Sequence, residues 1–282
     1  MNSVQLYADL QRAEYEAHSH TREGAEAMVA ERYAEARECA EFQAQWIVNE
    51  HLRRREDITA PVDPDMRILD FGCGVGRVME AMVDLGLENV DGVDISPAML
   101  AHAAASPTLH NSRFWQTNGH DVGGAPEGHY DLAYSLICLN HISMRQTRID
   151  IMRALGRALK PGGTVVLEFL YYPSIRSSQI PLPHVPWDQN RTSVGTNSAA
   201  DVWLTPDMLG ELADDMRLAF RDIALHDIEP WENVAAPSDN ELYPVRHNSL
   251  LATGTVGRRM LKRWAGPKAF AEAARRAGAS SS

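Results

Sequence analysis

The chain has 282 residues, 44% of them hydrophobic, and its formal net charge at pH 7 is −11. This length suits one globular domain with additions, and the acidic balance argues against sequence-independent binding of nucleic acid. No run reaches the roughly 18 apolar residues that a membrane helix needs. Cys39, Cys73 and Cys138 share no metal-ligand spacing. We therefore expect reduced thiols, no metal site and a cytoplasmic protein.

Residues 1–60 are rich in alanine, glutamate and arginine and carry an apolar face at helical spacing. Pro61 and Pro64 end this pattern. The sequence therefore predicts a helical addition before the first strand, which either packs on the domain or forms the contact of a homodimer. The apolar face consists of Val29, Tyr33, Ala36, Ala40, Ala44 and Ile47.

The stretch from Ile68 to Arg77 predicts a strand, a glycine turn and the start of a helix. Gly72, Gly74 and Gly76 allow a tight turn and a close ligand approach because they have no Cβ. The free N–H groups of the following helix favour a nucleotide-type ligand. The NAD fingerprint is G-x-G-x-x-G and would place its third glycine at Arg77, whereas the spacing here is G-x-G-x-G.

A second strand is predicted to end at Asp94, whose carboxylate can accept two hydrogen bonds from ribose hydroxyls. An acid at this point also fits a dinucleotide site, so Asp94 alone does not decide between nucleotide ligands. Ser96 and Pro97 then begin a helix as its N-cap and its first residue.

Further blocks continue the alternation of strands and helices. A third strand leads into the Asn118–Gly119 loop, and a fourth strand at residues 130–137 is followed by residues 138–142. Lys160–Gly163 is predicted to stop a helix before a fifth strand that runs from Thr164 to Leu170.

These ordered blocks resemble the motifs of the class I S-adenosylmethionine-dependent methyltransferases. Asp70 to Gly76 is similar to the first motif, Asp94 to Leu100 to the second, and Lys160–Gly163 to the turn before strand five. The resemblance covers about residues 67–170. It implies a doubly wound α/β fold with a seven-stranded, mostly parallel, Rossmann-like sheet, whose final strand lies antiparallel between strands five and six.

The resemblance also implies S-adenosylmethionine as the cofactor, with its ribose on Asp94 and its methionine part over the glycine turn. Many relatives carry Gly-Asp after strand three to contact adenine, where this chain has Asn118 and Gly119; Asp121 or backbone groups then take over that contact. The implied cofactor-binding residues are Asp70, Gly72, Cys73, Gly74, Gly76, Asp94, Ile95, Asn118, Gly119 and Leu136.

The segments around this core complete the predicted organisation. The resemblance implies that residues 1–60 form a helical cap and that residues 61–282 form the methyltransferase domain. Residues 171–204 leave strand five at the ligand-binding edge and contain four prolines, which favours a substrate lid over an ordinary surface loop. Strands at 220–228 and 248–256 and a closing helix at 258–277 are expected to follow.

The implied reaction is methyl transfer to an oxygen or nitrogen of a small metabolite, such as a natural-product scaffold or a sugar. Leu139–Ile142 stands where enzymes that methylate planar amide or base nitrogens carry Asn-Pro-Pro-Tyr, so nucleic-acid substrates are disfavoured. We expect no membrane partner. The alternatives are a nicotinamide-dependent oxidoreductase on a similar sheet and a non-catalytic cofactor-binding protein.

Candidate catalytic residues lie near the predicted methyl-donating end of the site. His141 follows strand four, and an unperturbed histidine titrates near neutrality, which suits a general base. His184 in the proposed lid is the second candidate and Glu168 on strand five the third. Many relatives use a histidine at the position of His141 for packing or for binding backbone. A neutral amine acceptor also needs no base.

Overall fold

The computed structural model describes residues 8–13, 16, 36–53, 62–180, 185–187, 202–228 and 248–257. In these residues a seven-stranded sheet carries helices on both faces, and a pair of short strands forms a second, small sheet. The strands, in chain order, are β1 (Ile68–Phe71), β2 (Val90–Asp94), β3 (Phe114–Gln116), β4 (Tyr130–Ser135), β5 (Leu159–Tyr171), β6 (Val185–Pro186), β7 (Val202–Trp203), β8 (Arg221–Ile228) and β9 (Asn248–Thr255).

The order of strands in the main sheet is β3-β2-β1-β4-β5-β9-β8. Strands β1 to β5 pair in parallel, whereas β9 runs antiparallel to both β5 and β8. The predicted seven-stranded, mostly parallel sheet is thus confirmed, including its one antiparallel strand between strands five and six. Because β1, β2 and β4 are parallel neighbours, their carboxyl ends meet at one edge.

Helices cover the sheet on both faces, which makes the fold doubly wound. One face packs against α4 (Arg145–Ala158) and α5 (Leu209–Arg217) through Ile151, Leu155 and Leu212. The other packs against α1 (Ala36–Arg53) and α2 (Arg77–Asp84) through Ile47 and Met79. All four residues of β1 are buried, as expected for a parallel strand with helices on both sides. Helix α3 covers Pro97–Ala104.

Helix α1 carries the part of the predicted N-terminal apolar face that the structure describes. Ala40, Ala44 and Ile47 are buried in one hydrophobic cluster with β1 and α2. Val29 and Tyr33 lie outside the described residues. Helix α1 therefore packs on the sheet along the face that its sequence period predicted.

Strand β5 begins earlier than predicted. The sequence indicated a turn at Lys160–Gly163 followed by a strand from Thr164, but the strand starts at Leu159. Leu159 already pairs with Tyr130 before a register shift in β4. The Gly162 N–H donates to the Val256 carbonyl at 2.7 Å. The glycine pair is therefore an irregularity inside the strand, held by partners that are distant in sequence.

The C-terminal strands agree with the prediction to within one residue. Strand β8 covers Arg221–Ile228 and β9 covers Asn248–Thr255. The closing helix predicted at 258–277 lies outside the described residues.

The segment proposed as a lid, residues 171–204, is described at both of its ends. Strands β6 and β7 pair in parallel. Trp187 and Trp203 are fully buried. The Trp203 ring stacks on Tyr172 with 3.7 Å between the centroids, so the base of the segment is packed against the domain.

Gly76 and Gly74 differ in what an added Cβ would meet, although both have positive φ. At Gly76 (φ +84°) the Cβ would lie 2.5 Å from Leu109 Cδ1, whereas at Gly74 (φ +54°) nothing lies within 4 Å. We expect Gly76→Ala to lower the free energy of unfolding by about 2–4 kcal/mol, from backbone strain plus overpacking. Gly74→Ala should cost only the strain, about 1–2 kcal/mol. Denaturant unfolding measures both variants, and equal losses would contradict the packing difference.

Candidate active site

The predicted site residues converge on one cavity at the carboxyl ends of β1, β2 and β4. The cavity holds about 200 Å³ and lies where ligands bind in open α/β sheets. It also reaches the segment at residues 8–13 and helix α1, which contribute Gln11 and Gln43. The predicted residues that line it are Asp70, Gly72, Cys73, Gly74, Asp94, Ile95, Gly119, Leu136 and His141.

The glycine turn forms the floor of the cavity. The Gly72 N–H donates to the Val93 carbonyl at 2.7 Å, which ties the turn to β2. A Cβ on Gly72 would lie 2.5 Å from the Cys138 Sγ atom, so only glycine allows the turn to approach the loop after β4. At Gly74 the corresponding space is open. A ligand can therefore lie directly against the backbone at Gly74.

Asp94 fixes the junction between this turn and the end of β2. Its Oδ2 accepts a hydrogen bond from the Gly74 N–H at 2.9 Å, and its Oδ1 accepts one from the Ser96 N–H at 2.8 Å. Burial raises the pKa of Asp94, and these two hydrogen bonds oppose the rise. An ionised carboxylate has lone pairs beyond these two. Asp94 can therefore accept hydrogen bonds from ligand hydroxyls inside the cavity.

Asp70 supplies a second buried acid. It lies on β1 directly beside Tyr134 of β4, and both residues line the cavity. Burial raises the pKa of Asp70 to about 8, and the carboxylate of Asp94 contributes to the rise. The Asp70 carboxyl therefore stays protonated until the pH rises to about 8.

The loop after β3 is organised by its own side chains. Asp121 Oδ1 accepts from the Thr117 hydroxyl at 3.0 Å and from the Gly123 N–H at 2.9 Å. Asn118 Oδ1 accepts from the His120 N–H at 3.1 Å. Thr117 and Gly119 line the cavity, and Asn118 is not among the described lining residues. The Asn118 side chain is thus engaged by the loop.

Gly76 lies apart from the cavity lining. It is the N-cap of α2, and the Leu109 side chain occupies the space beside it. Glycine is required at this position because the backbone is left-handed and because Leu109 leaves no room for a Cβ. The spacing of glycines in the sequence cannot distinguish this requirement from a contact with ligand.

The three candidate catalytic residues have different positions. His141 ends a 3₁₀ turn after β4 and lines the cavity. Glu168 is buried on β5 and accepts a hydrogen bond from the Ser249 hydroxyl at 2.6 Å; it is not among the described lining residues. His184 lies outside the described residues.

Several polar residues of the lining were not singled out from the sequence. Gln43 of α1 accepts a hydrogen bond from the Arg77 guanidinium at 3.4 Å, and both line the cavity. Gln11 donates to the His141 carbonyl at 3.2 Å. A glutamine in an amphipathic helix resembles a solvent-facing residue in sequence. Only tertiary packing shows that these side chains face a cavity.

The described residues contain no group of three His, Cys, Asp or Glu side chains that could hold a metal ion. Among the described helices, none is both long and apolar enough to cross a membrane.

Comparison with known proteins identifies the family of the central region. A family model described as a methyltransferase domain matches residues 68–163. A ubiquinone biosynthesis O-methyltransferase from Xanthomonas campestris pv. campestris (strain B100) is 27% identical over 176 residues, covering 61% of this chain and 70% of the relative. A tRNA U34 carboxymethyltransferase from Idiomarina loihiensis is 27% identical over 168 residues, but the match covers only 47% of that relative and 57% of this chain.

A solved structure shows the same fold. The geranyl diphosphate C-methyltransferase from Streptomyces coelicolor A3(2), in complex with S-adenosyl-L-homocysteine, superimposes with a TM-score of 0.54 at 16% identity. The match covers 84% of this chain and 85% of that one.

The residues of the cavity fit S-adenosylmethionine. The open space at Gly74 admits a ligand against the backbone, and Asp94 offers carboxylate lone pairs for ribose hydroxyls. Arg77 stands where a dinucleotide fold would need its third glycine. Residues 68–163 therefore form a methyltransferase domain on the class I fold, and S-adenosylmethionine is its cofactor.

Proposed function

We propose that the protein transfers the methyl group of S-adenosylmethionine to an oxygen or nitrogen of a small metabolite, such as a natural-product scaffold or a sugar. The observation that carries this proposal is that Asp94, the glycine turn and His141 open onto one cavity. A binding group and a candidate proton acceptor thus share the space that a cofactor and an acceptor would need.

The roles of the residues follow from their chemistry. When bound, the cofactor supplies a methyl group that is already activated by its sulfonium. Asp94 and the turn at Gly72–Gly74 would hold it. An imidazole nitrogen of His141 would accept the proton of a hydroxyl or ammonium acceptor. Gln11 fixes the His141 backbone through its carbonyl, which limits where the ring can move.

The small size of the acceptor is supported by the enclosure of the site. Ala8 and Gln11 are buried and line the cavity. A Cβ on Gly119 would lie 2.7 Å from the Ala8 Cβ. The N-terminal segment therefore packs against the loop after β3 beside the cavity. Its contacts narrow this side of the cavity, which favours an acceptor small enough to enter it.

The named activity of the Xanthomonas relative and the net charge of the chain both favour a metabolite as the acceptor. The Xanthomonas relative is named for O-methylation in ubiquinone biosynthesis, which supports a hydroxyl acceptor. The tRNA-modifying relative matches over less than half of its own length. The net charge of −11 is unfavourable for a polyanionic substrate. We therefore favour a metabolite over nucleic acid.

The two accessory segments complete the proposal. Gln43 and Gln11 line the cavity from the N-terminal part of the chain, which supports a helical cap at residues 1–60 on a domain at 61–282. Residues 171–204 leave β5 at the same edge as the cavity, which supports their role as a substrate lid.

The proposal is tested by incubating the protein with methyl-labelled S-adenosylmethionine and separate metabolite, RNA and protein fractions of a cell extract. We expect label in the metabolite fraction and its loss with Asp94→Ala. Label confined to the RNA or protein fraction would replace the proposed acceptor class.

Replacing His141 tests its role as a base. For a hydroxyl or ammonium acceptor, His141→Ala should lower kcat by roughly 10²–10⁴-fold, the usual scale of general-base catalysis. The exposed His110, whose ring lies 3.1 Å from the Pro107 carbonyl, is the matched control.

His184→Ala should raise KM more than it lowers kcat if that residue orients the substrate. Less than a tenfold effect from both His141 and His184 would leave positioning alone as the source of catalysis.

The raised pKa of Asp70 predicts a pH dependence of cofactor affinity. Below about pH 8 the free protein keeps the Asp70 proton, so the cavity gains a negative charge as the pH rises through this value. The sulfonium of S-adenosylmethionine is a fixed positive charge, and calorimetry should therefore show this ligand binding several-fold more tightly at about pH 8.5 than at about pH 6.5. Asp70→Asn should remove this slope.

The same proton gives a second measurable effect on ligand-free protein. The folded pKa is raised from its ordinary value of 3.8, so the folded state binds more protons than the unfolded state between these two values. Its contribution to stability is present at low pH and is lost as the pH rises to about 8. A wild-type profile identical to that of Asp70→Asn would contradict the assignment.

A further inference from the structure

The loop after β4, residues 136–142, contains a residue in a strained conformation. Ile137 has φ +57°, which is the left-handed region that a β-branched residue rarely adopts. It also lines the cavity. Such strain persists only where the surroundings over-determine the backbone, and it concentrates at functional sites.

Among the described residues, donors from three elements outside the loop hold it. Gln11 donates to the His141 carbonyl at 3.2 Å. Arg148 Nη1 donates to the Ile142 carbonyl at 2.6 Å. The Leu170 N–H donates to Asn140 Oδ1 at 3.0 Å. These donors belong to the N-terminal segment, α4 and β5, so the loop is fixed from three directions.

Arg148 differs from the other two donors because it also holds the segment proposed as a lid. Its Nη2 donates to the Trp187 carbonyl, and its Cζ lies 4.2 Å from the centroid of the Trp187 ring. Arg148 and Trp187 are both fully buried. The planar guanidinium can donate in two directions and stack on an aromatic ring at once, which a lysine cannot do.

We propose that Arg148 is a positioning residue of the methyl-transfer site. It fixes Trp187 and the Ile142 carbonyl to one rigid group, and through that carbonyl it sets the position of His141 and Ile137. The proposal rests on the proposed function for its catalytic consequence, because it assumes that His141 faces the acceptor. The proposed restraint of the loop by Arg148 does not depend on which acceptor is methylated.

Arg145 offers a matched control on the same helix. It forms two hydrogen bonds to Asp215, at 2.9 and 2.8 Å, and the Trp187 Nε1–H donates to the same carboxylate at 3.0 Å. Arg145 therefore supports the side chain of Trp187, whereas Arg148 joins the Trp187 backbone to the loop. Loss of Arg145 disturbs the same tryptophan through a partner other than the Ile142 carbonyl.

Hydrogen exchange with mass spectrometry tests the restraint. The His141 and Ile142 N–H groups donate to Cys138 and Leu139 inside the loop. In Arg148→Met we expect their exchange to be at least roughly tenfold faster than in wild type, with Arg148→Lys between the two. Arg145→Met should stay within about twofold of wild type. Unchanged exchange in Arg148→Met, or equal acceleration in both methionine variants, would overturn the proposal.

Kinetics test the catalytic consequence with the acceptor that the extract assay identifies. We expect Arg148→Met to lower kcat at least roughly tenfold while KM for S-adenosylmethionine changes less than about threefold, and Arg148→Lys to restore part of kcat. Faster exchange with unchanged kcat would reduce Arg148 to a structural role and overturn the proposal.

If Arg148→Met does not fold, as thermal unfolding would show, Arg148→Lys and Arg145→Lys provide the same comparison. The exchange result needs no acceptor, so it judges Arg148 even if the proposed function fails.

Discussion

The hydrogen bond from the Gly74 N–H to the Asp94 carboxylate is the interaction on which the site depends. It joins the turn after β1 to the end of β2 at 2.9 Å, and the same carboxylate caps the Ser96 N–H at the approach to α3. The positions of two helices and of the cavity floor are therefore set by one side chain. The glycines make this possible, because a Cβ at Gly72 would collide with Cys138.

Burial gives the cavity an unusual acid–base character. Asp70 and Asp94 share one space and both have raised pKa values. A cationic ligand relieves the cost of ionising them. Burial also raises the pKa of the two cysteines that line the cavity, that of Cys138 to about 12 and that of Cys73 well above its ordinary value. Both remain neutral thiols, which are poor nucleophiles beside an alkylating cofactor.

The sequence predicted the parts of the site that depend on local backbone chemistry. Asp94 and Gly74 could be found because a strand end and a glycine turn have fixed spacings. The order of the strands followed from the resemblance, and the antiparallel β9 was confirmed. Gln11 and Gln43 could not be found, because only the packing of the N-terminal part of the chain on the sheet places them at the cavity. The early start of β5 was also missed, since it depends on the pairing of Leu159 with Tyr130 and on the hydrogen bond from Gly162 to Val256.

Strain at Ile137 and the buried position of Arg148 belong to the same class of hidden feature. An isoleucine after a strand predicts nothing unusual, and an arginine in a helix suggests a solvated face. The structure shows instead that a buried guanidinium connects α4, Trp187 and the loop that carries His141. Such restraints arise from contacts between residues that are distant in sequence, and no local pattern encodes them.

Calorimetry of wild type and Asp94→Ala with S-adenosylhomocysteine and with NAD distinguishes the two nucleotide ligands at this site. We expect S-adenosylhomocysteine to bind wild type and NAD not to bind it. Asp94→Ala should weaken S-adenosylhomocysteine binding by roughly 1.5–3 kcal/mol, the range for hydrogen bonds to a charged group, which is about ten- to a hundredfold in Kd. Binding of S-adenosylhomocysteine to Asp94→Ala as tight as to wild type, or preferential binding of NAD, would contradict this expectation.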